Sequence, residues 1–70
     1  MVNWIINYGD SGLPDTGMCE VTADTEKEAL VQFTIKFNIP FEGSSDDITR
    51  GQLVRLIERD GFILGDIERN

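Results

Sequence analysis

Few side chains in this chain could do chemistry, and their spacing excludes more than it permits. Gly9, Asp10, Ser11 and Gly12 make up the kind of segment that surrounds a hydrolase serine nucleophile. The 70 residues contain no histidine to take the proton, however, and so short a chain cannot build that enzyme architecture. The same glycines do not open a helix after a strand, and no lysine follows them, so they do not form a phosphate or dinucleotide loop. Residues 9–17, with three glycines, a proline and two aspartates, read as a flexible loop. Asp10 and Asp15 belong to that loop, and Asp46 and Asp47 to a later one. Calcium needs about six to eight oxygens converging on one point, and no D-x-D-x-D-G series supplies them. A glycosidase pair of carboxylates would need a pocket that a domain of this size hardly encloses. Cys19 is the only cysteine, so no disulfide closes within one chain, and without histidine a lone thiol makes no structural zinc site. Its neighbour Glu20 is negative and its strand position points inward, which favours a small apolar core residue over a reactive thiol. No enzyme activity, metal or cofactor is expected.

The charge narrows the partners. Thirteen acids against six bases give a net charge of −7. Residues 1–48 hold nine acids against Lys27 and Lys36, a net of −7, whereas residues 49–70 hold four of each sign and balance. A field of this sign repels phosphate backbones and anionic membranes and attracts basic surfaces. It also serves simply to keep a small protein in solution. No secretory leader and no stretch of transmembrane length is apparent; with one cysteine, a cytoplasmic setting is expected.

The elements that must position these groups follow from periodicity. Val2–Tyr8 alternates as a strand, with Trp4, Ile6 and Tyr8 on one face and Asn3, Ile5 and Asn7 on a wetter one. Met18–Ala23 alternates again, with Cys19, Val21 and Ala23 inward, so the two strands are expected to pair as an antiparallel hairpin across the acidic loop. Thr25 and Glu28 fit a capping box that starts a helix. Ala29, Leu30, Phe33 and Phe37 form its inward stripe, and Pro40 is expected to end it. Residues 40–47 are a polar connection. Thr49 and Gln52 fit a second capping box, with Ile48 and Leu53 at staple positions. Leu53, Val54, Leu56 and Ile57 give the second helix its apolar face, and Gly61 stops it. Phe62–Glu68 returns as a strand, with Ile63 and Ile67 assigned to one face, Phe62 and Leu64 to the other, and Gly65 marking a bulge or a close backbone approach.

The whole is expected to be one α+β domain, a small two-layer β-β-α-α-β arrangement. Its three-stranded, mostly antiparallel sheet is packed by the helices. The first strand is expected at the centre, and the last strand parallel to it. Seventy residues leave only a modest core, so Trp4 and Tyr8 are expected to pack inside.

Two surface features remain as candidate contacts. Val31 and Ile35, four residues apart, make a second apolar stripe on the first helix. Either the second helix covers it or a partner or second copy does. Arg55 and Arg59 lie on the polar side of the second helix, as a solvated face or as an interface anchor. Together with Asp10, Asp15, Asp46 and Asp47, these are the candidate partner-binding residues.

The run V-T-A-D-T-E-K-E-A-L resembles a pattern in small phage-encoded proteins, in which a strand leads through a capping box into a helix beginning E-A-L. It is similar over residues 18–33 to small phage inhibitors of host RNA polymerase and to some anti-CRISPR proteins. That resemblance implies a noncatalytic protein that binds and modulates a host macromolecule. The chain departs from the polymerase-inhibitor pattern by its second helix before the last strand, and no family binding residue carries over. The expected function is a protein-interaction module acting on another protein, one with a basic surface. The alternative is a small structural subunit or a homodimer joined through Val31, Ile35 or an open sheet edge. Nucleic-acid binding through Arg50, Arg55 and Arg59 is disfavoured by the overall charge.

Overall fold

A computed structural model describes residues 1–10 and 12–70, with the side chains of all of these but Pro14 and Asp15. The element order is β1 (Val2–Asp10), β2 (Leu13–Ala23), α1 (Glu26–Lys36), α2 (Arg50–Arg59) and β3 (Phe62–Arg69). One three-stranded sheet, ordered β2-β1-β3, forms one layer. The helices form the other, α1 over β2 and α2 over β3, packed against each other. The molecule is a slab 18 Å thick.

Three expectations about the strands are corrected. The hairpin has no long loop: Asp10 pairs with Leu13, and the excess residues of β2 are absorbed as an irregularity between that pair and Tyr8↔Gly17. Gly12 takes φ 81 in the turn, a conformation that costs glycine little. The Asp10 backbone N–H donates to Thr16 Oγ1 at 2.9 Å, closing the irregular segment. Of the segment that composition marked as a loop, residues 9–10 and 13–17 are therefore strand, because backbone pairing to a neighbour outweighs the weak β preference of Gly and Asp.

β3 runs antiparallel to β1, not parallel. The two helices and the long connection between them carry the chain across β1, so β2 and β3 flank it in the same direction. Strict alternation of direction along the chain does not hold across that crossover.

The faces of β3 also differ from simple alternation. Ile6 pairs with Ile67 and Tyr8 with Leu64, so β3 spends one residue more than β1 over this interval. Gly65 and Asp66 together oppose Asn7, whose side-chain amide donates to the Asp66 carbonyl at 3.1 Å. This bulge, anticipated at Gly65, shifts the phase of the strand. Phe62, Leu64 and Ile67 all pack on the helix side, and Ile63 turns to the opposite face.

The helix ends are set locally. Thr25 Oγ1 accepts from the Glu28 N–H at 3.2 Å, but the Glu28 carboxylate accepts from Asp24 N–H at 3.3 Å, one residue before the expected partner. In α2 the reciprocal box is complete: Gln52 N–H donates to Thr49 Oγ1 and Thr49 N–H to Gln52 Oε1. α1 stops before Pro40 is reached. Asn38 adopts φ 55; its N–H donates to Ile35 O, and Ile39 N–H donates to Thr34 O at 2.8 Å. This is a Schellman turn with asparagine in the left-handed position and the buried Ile39 beyond it. Gly61, at φ 108, closes α2 as expected.

The core lies between the layers. Ile6, Cys19, Val21 and Ala23 from the sheet meet Ala29, Leu30, Phe33, Leu53 and Ile57 from the helices. At one end, the rings of Tyr8, Phe33, Phe37 and Phe62 contact one another with centroids 4.6–5.7 Å apart, mostly edge to face. Gly17, opposite Tyr8, makes room for that ring: a Cβ there would stand 2.5 Å from Tyr8 Cζ. Trp4 anchors the other end, its Nε1–H donating to the Ala23 carbonyl at 3.0 Å.

Candidate protein-interaction surface

Both helices cover one face of the sheet, which leaves the other bare. Register assigns that face residue by residue. Trp4, Ile6 and Tyr8 point to the helices, so Asn3, Ile5 and Asn7 point away. Ile5 pairs with Glu20 on one side and with Glu68 on the other. A row Glu20–Ile5–Glu68 therefore crosses the bare face, its two carboxylates two strand spacings apart, about 10 Å. Beside it, Asn3 pairs with Thr22, and the Thr22 hydroxyl donates to Asn3 Oδ1 at 3.1 Å. On the other side, Met18 lies opposite Asn7, and Ile63 opposite Gly9. Met18 is 68% exposed and Ile63 38%, and Ile5 is half-buried between its acidic neighbours.

Among the described residues, no lysine or arginine stands on this face. Lys27 and Lys36 lie on α1 and Arg50, Arg55 and Arg59 on α2; Arg69 pairs with Trp4 and so falls on the helix side. The face is apolar at its centre and negative around it. A surface of this make-up suits a partner that presents apolar side chains flanked by cations.

The residues singled out from sequence are not brought together. Asp10 is exposed at the end of β1, beside the hairpin turn. The side chain of Asp15 lies outside the described residues. Asp46 and Asp47 are exposed on the α1–α2 connection, away from the hairpin in sequence; Lys27 Nζ donates to the Asp46 carbonyl at 3.3 Å. Val31 and Ile35 part company: Val31 is buried at 9% exposure, whereas Ile35 is 61% exposed. The expected second stripe is therefore not an open patch, because the apolar arc of α1 is broad enough to take Val31 into the core. Arg55 and Arg59 are exposed and, with Gln52 and Leu56, line a shallow depression on α2. Arg50 is engaged, donating from Nε and Nη2 to Glu26 Oε1 at 3.0 and 2.8 Å.

Ile5, Met18, Glu20, Ile63 and Glu68 are the residues that sequence reasoning passed over as contacts. Ile5 among asparagines and Met18 at the start of an alternating run were the available signals. The exposure of Ile63 had none, since it depends on the phase shift at the bulge.

Cys19 is buried on the helix side. Burial pushes its thiol above the ordinary value of 9.0, against a smaller lowering by Lys36. No cluster of metal-ligating side chains occurs among the described residues, and no helix there is long and apolar enough to cross a membrane. Comparisons with protein-family models, with curated proteins and with solved structures gave no match to this chain.

Proposed function

We propose that this protein is a noncatalytic interaction module that binds another protein through its bare sheet face, the partner presenting a basic surface with apolar residues at its centre. One observation carries the reading: the row Glu20–Ile5–Glu68, bordered by the exposed Met18 and Ile63, on a face without a lysine or arginine among the described residues. Burying Met18, Ile5 and Ile63 supplies the apolar gain, at about 25 cal/mol per Å² before the costs of association. The carboxylates select the sign of the partner and speed encounter. The resemblance of residues 18–33 to small phage inhibitors supports a phage or mobile-element protein that modulates a host factor. It directs the search for the partner to bacterial lysates.

The test compares three immobilised forms of the protein: wild type, Glu20→Lys/Glu68→Lys, and the charge-matched Asp46→Lys/Asp47→Lys. A specific basic protein is expected to be retained by wild type and by the connection variant, and to be lost from the sheet-face variant. Its retention should fall as salt shortens the screening length from about 10 Å at 0.1 M to about 3 Å at 1 M. Equal retention by all three forms would refute the reading, as would no specific retention by wild type.

A further inference from the structure

The two free edges of the sheet are not equivalent. β3 is interrupted by the bulge at Gly65 and Asp66, a device that spoils an edge as a template for another strand. β2 has no such interruption over most of its length. From Val2↔Ala23 to Tyr8↔Gly17 its register is unbroken, with the irregularity confined to the hairpin end. Residues 17–23, G-M-C-E-V-T-A, contain no proline and no lysine, the usual protections of an edge. They are hydrogen-bonded to β1 on one side only.

Charge decides what this edge accepts. Glu20 is the middle residue of the regular segment. Two copies of β2 paired about a two-fold axis over residues 17–23 would set Glu20 opposite Glu20 and Met18 opposite Thr22, and would bring together two chains of net charge −7. Like charges directly across a strand pair are destabilising, and opposite charges stabilise it. The edge thus works against a second copy and in favour of a cation at that position. On the helix side, a strand added here would extend the apolar surface of Cys19 and Val21, both buried.

We propose that β2 is the docking edge of this protein, taking an extended segment of its partner as a fourth strand. The segment places lysine or arginine opposite Glu20, an apolar side chain opposite Met18, and apolar side chains opposite Cys19 and Val21. This rests on the reading of the protein as a binder of basic partners, and adds the conformation in which the partner binds. Backbone pairing along β2 supplies affinity and the alternate side chains supply specificity. The added strand widens the bare face by one row, so its lysine lies beside Glu20 on the same surface.

The test uses a seven-residue peptide with blocked ends, a central lysine and valine on either side, added to the isotopically labelled protein. Two controls are a copy methylated on its backbone nitrogens and a copy with glutamate in place of lysine. The expected result is amide shifts and exchange protection centred on Met18–Thr22. Affinity should drop about 100-fold for the methylated copy, which cannot donate to the edge, and about tenfold for the glutamate copy or for Glu20→Lys. Four outcomes would overturn the proposal: no binding of the lysine peptide; shifts centred on β3; equal binding of the methylated copy; or a wild-type dimer by sedimentation with β2 amides protected. Equal binding of the methylated copy, lost on Glu68→Lys, would leave the sheet-face reading standing and remove only the edge. The lysate comparison tests that reading separately.

Discussion

Replacing Gly17 with alanine puts a methyl group where the ring of Tyr8 already lies. The added Cβ would stand 2.5 Å from Cζ, 2.6 Å from Oη and 2.9 Å from Cε2, against an optimum of about 3.5–4.0 Å between carbon atoms. The ring has little freedom to withdraw. Its centroid is already 5.5 Å from that of Phe33, 5.2 Å from Phe37 and 5.7 Å from Phe62. Overpacking of this kind costs about 1–3 kcal/mol. Alanine offsets part of that by restricting the unfolded chain, about 0.4–1 kcal/mol. The net expectation is a loss of about 1–2 kcal/mol, which lowers the midpoint of thermal unfolding by about 4–16 °C in a domain of this size. Far-UV circular dichroism with heating and urea titration measure it. Gly51→Ala is the internal control. A Cβ at Gly51 meets nothing within 4 Å, and the residue lies in the first turn of α2, so alanine there should stabilise by about 0.5 kcal/mol. The same substitution is thus expected to act with opposite sign at the two sites. In a Tyr8→Leu background, the Gly17→Ala penalty should shrink, since the ring is gone. A Gly17→Ala protein as stable as its parent, or an undiminished penalty without Tyr8, would refute the packing argument.

Two further outcomes follow from the helix end and the buried thiol. Asn38→Val should destabilise by about 1–2 kcal/mol, because φ 55 suits a β-branched residue poorly, while Asn38→Gly should leave stability near the parent; urea midpoints compare them. Cys19 should react slowly with thiol reagents in the folded state. Since burial raises its folded pKa above the ordinary 9.0, the thiol's contribution is fully present below about that pH. It is lost as pH rises through the folded value, so wild type should lose more stability than Cys19→Ala on going to alkaline pH.

The sequence alone determined the element types, their order and much of the core. Those properties are local: alternation marks a strand, a three-to-four spacing marks a helix, and Thr49 with Gln52 writes its own cap. It also placed β1 in the centre, flagged the bulge at Gly65 and kept Cys19 and Tyr8 inside. Tertiary structure decided what depends on a partner across space. Residues 9–10 and 13–17 are strand because the hairpin pairs them, and α1 stops at Lys36 because the backbone at Asn38 closes a turn before Pro40 acts. The bulge sends Ile63 outward while Ile67 stays inward, and the crossover of both helices sets β3 antiparallel to β1. The candidate surface belongs wholly to this second class. Glu20, Ile5 and Glu68 come from three strands, and only their register, fixed by hydrogen bonds between segments far apart in the chain, makes them one row.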